Sequence, residues 1–128
     1  MLEKLKVELI ERIIDTLPLE ISFIDAEDRV QYYSKGDKRI FKRTPAVIGK
    51  KVQNCHPPKS LDKVNAILED FKAKKRDVAE FWIPLDKMFL YIRYFPVEDN
   101  EGKYLGPLEV TQEVSGIKTL EGEKRLLD

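Results

Sequence analysis

From Val78 to Val114 the chain passes through three strand-like stretches with little between them, and this most restricts what it can fold into. The stretches are "VAEFWIPL" (78–85), "MFLYIRYFPV" (88–97) and "KYLGPLEVTQEV" (103–114), each rich in β-branched and aromatic residues. "DNEG" at 99–102 is a hairpin turn between the last two. Pro84, Pro96 and Pro107 belong near strand ends or on edges, because proline cannot donate to a ladder. Along 88–95 both faces are largely apolar: Phe89, Tyr91, Arg93 and Phe95 share one face, and Met88, Leu90, Ile92 and Tyr94 the other. Both faces are therefore expected to be partly covered.

A second strand run lies earlier. "EISFID" and "VQYYS" flank the tight turn "AEDR" and read as a hairpin. The next region, "KGDKRIFKRTPAVIGKKV", contains Gly36, Pro45 and Gly49, so it holds short helical turns rather than one helix. From Pro58 the spacing turns helical, with Leu61, Val64, Ile67, Leu68 and Phe71 on one face and "KAKKRD" as a charged exit. Residues 2–17 also have helical spacing, through Leu2, Leu5, Leu9, Ile10, Ile13, Ile14 and Leu17, and Pro18 ends it. The tail "GIKTLEGEKRLLD" reads as a second amphipathic helix interrupted by Gly122, with Ile117, Leu120 and Leu127 along its seam. Five strands in two runs with helices between them predict an α+β domain: a five-stranded antiparallel sheet with helices on one face. The expected organisation is a flanking amphipathic helix over 1–17, the domain over 18–114 and a helical tail over 115–128.

Composition narrows the function classes. The 128 residues suit one domain, and 42% hydrophobic residues are enough for a core. Lys+Arg and Asp+Glu number 23 each, so no net field favours a polyanion, and no nucleic-acid partner is expected. The single cysteine excludes an internal disulfide and a Cys-only metal site. No apolar run approaches the roughly 20 residues of a membrane span, and the N-terminus lacks the regions of a signal peptide. A cytoplasmic protein without membrane attachment is the expectation.

"QNCHPPKS" at 53–60 holds the only cysteine, Cys55, beside the only histidine, His56, followed by two prolines. One reading is structural: Pro58 suits a first helical position, where no N–H is needed, and Pro57 keeps His56 extended. On that reading Asn54 or the His56 ring bonds a free backbone group at the turn. A second reading makes Cys55 a redox thiol favoured by the helix start and the imidazole. It lacks a resolving cysteine and any marked oxyanion hole.

The element order resembles that of a PAS sensor domain over roughly residues 17–114. "LPLEISFIDAEDRVQYYS" is similar to the opening hairpin of that family. "VIGKKVQNCHPPKSLDKVNAIL" resembles its segment leading into the long helix, and "YFPVEDNEGKYLGPLEVTQEVSGIK" its closing hairpin. "NCHPPKS", "RDVAEFWI" and "TLEGEKRLLD" further resemble the C-terminal PAS domain of a prokaryotic family of unknown function whose longer members carry a hemerythrin-like domain. With one histidine the chain lacks the ligands of a hemerythrin di-iron site, so the resemblance implies that it would be the PAS part alone.

The resemblance implies a sensor or signal-transduction module rather than an enzyme. It would bind a small ligand or cofactor in a pocket under the sheet and relay occupancy through the terminal helices. The alternatives are a cofactor-free protein–protein dimerisation module and a haem-based gas or redox sensor with His56 as axial ligand. Met88, Cys55 or no residue would then be the second ligand. The light-sensing PAS relatives place cysteine three residues after a glycine in Gly-x-Asn-Cys; here Cys55 is six residues after Gly49, so flavin photochemistry is not expected. Trp82, Tyr91 and Arg93 complete the candidate pocket residues, Arg93 as a clamp for a ligand carboxylate. The alternative for Arg93 is an ion pair with Glu80 or Glu109, or stacking on Trp82. The terminal helices are the expected contact for a homodimer or a partner domain.

Overall fold

Two of the three hairpin turns share one chemistry. In a computed structural model, which describes residues 1–127, Asp25 and Asp99 each open a tight loop. Asp25 Oδ1 accepts from the N–H of Glu27 (2.9 Å) and Arg29 (3.0 Å), and Asp99 Oδ1 from Glu101 (2.8 Å) and Lys103 (2.9 Å). In each the fourth residue is left-handed, Asp28 at φ 68° and Gly102 at φ 83°. A type I turn followed by a left-handed residue is a standard way to join antiparallel strands. Asp28 tolerates that conformation less well than glycine, but its carboxylate holds Lys72 Nζ at 2.9 Å and accepts from Gln53 at 3.2 Å. The first turn thereby anchors the far end of the long helix.

The strands are β1 (Glu20–Ile24), β2 (Val30–Tyr33), β3 (Ala79–Leu85), β4 (Met88–Glu98) and β5 (Tyr104–Glu113). They form one antiparallel sheet in the order β2-β1-β5-β4-β3. The β1–β2 hairpin and the β3–β4–β5 meander therefore meet at a β1–β5 seam, with Glu20 opposite Thr111 and Ser22 opposite Glu109. Gly106 makes the seam possible. Its φ is +137°, and a Cβ there would lie 1.8 Å from the Ile24 carbonyl oxygen.

The inner face carries Ile24, Leu90, Ile92 and Ala79, all buried. The long helix α2 (Leu61–Lys72) covers it with Leu68 and Phe71, and 3-10 turns at Pro45–Val47, Val52–Cys55 and Pro58–Ser60 lead into it. Ile24, Val30, Val52 and Leu68 form the core cluster beneath the β1–β2 hairpin.

The connection from β2 to those turns is held by a buried arginine. Arg39 is 1% exposed. Its Nε donates to the Phe41 carbonyl at 3.0 Å, and its Nη1 to those of Ile21 (3.0 Å) and Ser34 (3.1 Å). Nη2 reaches Ser22 Oγ at 3.3 Å and lies 3.8 Å from Glu20 Oε1. Glu20 in turn accepts from the N–H of Ile40 (2.9 Å) and Phe41 (3.1 Å). Burial pulls the guanidinium pKa down and Glu20 pushes it back up; an arginine stays charged in either case.

Both termini depart from expectation. Helix α1 (Val7–Thr16) is shorter than residues 2–17, because Leu2–Lys4 forms a separate 3-10 turn and Leu5 is extended. It buries none of its residues. Asp15 tethers it to the end of β2: Asp15 Oδ1 accepts from the Lys35 N–H and its carbonyl accepts from Lys35 Nζ, both at 2.8 Å. The tail is not an amphipathic helix. It makes one 3-10 turn at Ile117–Thr119, and Leu120 and Leu127 stand exposed; Asp128 lies outside the described residues. Gly122 at φ 64° interrupts it, and the exposed leucines leave a helix there without a face to bury. No helix among the described residues is long and apolar enough to cross a membrane.

The packing sets the cost of three substitutions. Gly106→Ala forces backbone apart at the β1–β5 seam and should cost more than about 3 kcal/mol in urea unfolding. Gly36→Ala, which meets open space, should cost about 1 kcal/mol. Arg39→Met should lose roughly 3–5 kcal/mol, because it strands the Glu20 carboxylate in the interior.

Candidate functional site

Helix α2 leaves the inner face partly uncovered toward β3, and a cavity of about 400 Å³ remains between them. Its sides are apolar: Ile24 and Pro107 from the sheet, Val52 from a turn, and Val64, Ile67 and Leu68 from α2. Two aromatics close it on the β3–β4 side, Phe81 and Tyr94, with ring centroids 6.1 Å apart. Three polar side chains complete the wall: His56, Ser60 and Lys63. The exposed members of the lining are Phe81 and Lys63, which mark the mouth.

"QNCHPPKS" accounts for most of the polar part. Val52–Cys55 forms a 3-10 turn, His56 follows in extended backbone, and Pro58 opens the turn that leads into α2. The prolines thus start the helix as their chemistry suggests, and the same geometry presents His56 and Ser60 to the cavity. Neither turn nor helix is capped by a side chain, so the expected bond from Asn54 or the imidazole to the turn is not made. Cys55 is not in the wall. It packs against the core cluster, with its thiol 3.9 Å from the Lys51 carbonyl.

Behind the wall lies a buried carboxylate. Glu109 on β5 is 5% exposed and faces Tyr94 across the β4–β5 ladder. The Tyr94 hydroxyl donates to it, and Arg43 Nη2 lies 3.8 Å from its Oε2. Burial, then the Glu109 charge and hydrogen bond, hold the Tyr94 phenol far above its ordinary pKa. Burial holds the His56 imidazole below its ordinary value, with Glu109 pulling it up and Arg43 pushing it down. At neutral pH the cavity therefore meets a neutral imidazole, and Lys63 is the charged side chain of its wall.

Three candidate residues stand on the opposite face of the sheet. Trp82, Tyr91 and Arg93 alternate with the inward Phe81, Ile92 and Tyr94 along β3 and β4, so none lines the cavity. Trp82 is 59% exposed and tilts against Tyr91 at 6.5 Å. Arg93 donates to Gln112 at 2.8 Å and stacks over Tyr91 (4.7 Å) and Phe95 (5.4 Å), rather than pairing with Glu80 or Glu109 or stacking on Trp82. Glu80 instead accepts from the Tyr91 hydroxyl. Sequence reasoning missed Phe81, Tyr94 and Lys63. The first two belonged to the opposite phase of the same alternation, and Lys63 was hidden among surface lysines.

An iron would find one ligand on this wall, His56. Met88 and Cys55, the candidate second ligands, lie elsewhere, and no cluster of three or more metal-ligating side chains occurs among the described residues.

A protein-family model described as "PAS domain" matches residues 10–115. A solved C-terminal domain from Streptococcus mutans is 37% identical, with a TM-score of 0.84, and the match covers 91% of each chain. The PAS domain of BvgS from Bordetella pertussis is 20% identical over 85% of this chain and 86% of its own, with a TM-score of 0.63. A sensory box sensor histidine kinase structure from Vibrio cholerae is 12% identical, with a TM-score of 0.59 over 84% of this chain and 90% of its own. The last two share the fold. A search of curated proteins returned no match.

His56 is the only histidine, so its ring protons report one titration in a proton NMR spectrum. The midpoint should fall below the free value of about 6.5. The unfolded chain then binds the proton more readily than the folded one, so stability should fall as pH drops from that value through the folded midpoint. His56→Gln should remove that component of the pH dependence.

Proposed function

We propose that this chain, which belongs to the PAS domain family, is a sensor module and not an enzyme, and that it takes a small, largely apolar molecule in the cavity between α2 and the sheet. The observation that carries this reading is the cavity itself. About 400 Å³ is within the range of small-molecule sites, and an apolar wall with a few convergent polar groups is their usual make-up. Its polar groups, an imidazole, a hydroxyl and an ammonium on one side, suit recognition of a ligand's polar end.

The relay runs along the seam. Pro107 lines the cavity on β5 and Glu109 backs it. The same strand leads directly into the tail, where the Val114 N–H bonds the Phe89 carbonyl at 2.8 Å and Lys118 Nζ lies 3.6 Å from the Phe89 ring centroid. β1, paired with β5, follows α1 across Leu17–Leu19. A ligand that favours one packing of Tyr94 and Glu109 therefore acts on the strand that carries one terminus and adjoins the other. The shift requires different affinities for the two arrangements.

A second reading, a dimerisation module, is favoured by α1. Its Leu9 and Ile13 remain 47% and 49% exposed, and Val7 78%. Such a stripe is what a second copy would cover.

Native mass spectrometry of the purified protein, beside an absorption spectrum, tests both readings. A bound small molecule lost in Ile67→Trp supports the sensor. An empty protein whose sedimentation changes from dimer to monomer in Leu9→Asp or Ile13→Asp supports the dimerisation module and overturns the first. A Soret band that disappears in His56→Ala would make the occupant a haem. An empty protein that is a monomer throughout overturns both.

A further inference from the structure

Charge at the mouth narrows the class of molecule the cavity would take, an inference that rests on the cavity being a small-molecule site. Lys63 is the one wall residue that carries a full charge at neutral pH. Among the described residues it makes no ion pair or hydrogen bond, unlike Lys72 and Lys74, which are both paired. Ser60 shares the wall with it. The Ser60 hydroxyl already donates to the Pro57 carbonyl at 3.0 Å, which leaves its oxygen lone pairs but no proton for a ligand. The His56 ring, also on the wall, has an N–H to give in its neutral form.

Behind the wall the sign is reversed, but the carboxylate there, Glu109, is engaged by Arg43 and Tyr94. A ligand cation would find no free partner inside and a like charge at the mouth. A ligand with two charges would bury one against Ile24, Val52 and Leu68, where nothing compensates it.

We propose that the cavity selects a small amphipathic monocarboxylate. Its apolar body lies between α2 and the Phe81–Tyr94 pair, and its carboxylate stays at the mouth on Lys63, with the His56 N–H as a second donor. The apolar wall supplies affinity for the body by area. The ammonium supplies sign discrimination at the opening, where water still solvates the charge.

Three probes of equal chain length separate the preference for a carboxylate from small-molecule binding as such: decanoate, 1-decanol and decylammonium. Binding is measured by calorimetry at low salt, each below its aggregation concentration, and the His56 ring protons are followed in parallel. Decanoate should bind tightest and decylammonium weakest. Lys63→Glu, an exposed substitution that leaves the core untouched, should weaken decanoate by about tenfold and leave decanol within about twofold. Decanoate should also raise the His56 midpoint, and decanol should not. Raising the salt should shrink the preference.

If decanol binds as well as decanoate and Lys63→Glu changes neither, the inference is overturned while the cavity remains a ligand site. If decylammonium binds best, the sign is wrong and the inference falls. If none of the three binds wild type, and Ile67→Trp and wild type behave alike, the inference and the small-molecule reading fall together.

Discussion

The fold depends on one charge being buried without being left alone. Arg39 sits under the β1–β2 hairpin, and its donors are distributed over Phe41, Ile21, Ser34, Ser22 and Glu20. An isolated guanidinium in that position would cost far more than a domain of this size can offset. Because the partners come from β1, from the end of β2 and from the following segment, satisfying the charge fixes all three together. The segment from Gly36 to Lys51 has little regular structure to order it. Arg39 and the Glu20 carboxylate supply that order, and the turns at Pro45–Val47 and Val52–Cys55 can then reach the inner face.

A second buried carboxylate, Glu109, is handled differently. Arg43 lies 3.8 Å away and Tyr94 bonds it, and both partners are side chains rather than backbone groups. A pair held by side chains alone can exchange between arrangements more readily than one tied to backbone. The pair tied to backbone thus organises the entry segment, and the other lies behind the cavity wall next to Tyr94. Arg43 Nε has no hydrogen-bond partner in this arrangement.

The strand segments, two of the three hairpin turns and the helix beginning after Pro58 were legible in the sequence, because proline, glycine and aspartate impose local geometry that hardly depends on the rest of the chain. The PAS resemblance drew attention to the turn before α2, and His56 does line the cavity there. The same alternation that revealed β4 could not say which phase faced inward. Phe89, Tyr91, Arg93 and Phe95 are nearly as apolar overall as Leu90, Ile92 and Tyr94, so Trp82, Tyr91 and Arg93 were assigned to a pocket they turn away from. Arg39 gave no signal, because a buried arginine and a surface one look alike in "GDKRIFKR". The tail misled in the opposite sense: leucines at helical intervals favour a helix only where a surface is there to receive them.

By itself, the sequence determined what neighbouring residues settle among themselves: where strands end, how the hairpins turn and where α2 begins. These choices are made by φ restrictions, missing N–H groups and short side-chain bonds, all acting within a few residues. Only the tertiary structure decided which face of the sheet is the inside, which carboxylates are buried, and that an unpaired Lys63 shares the wall of an apolar cavity with His56. Those outcomes depend on α2 and the segment before it lying across a seam between β1 and β5, strands separated by roughly eighty residues. No local pattern carries that information, because the free energy that selects it comes from burial and charge pairing between groups the chain brings together only on folding.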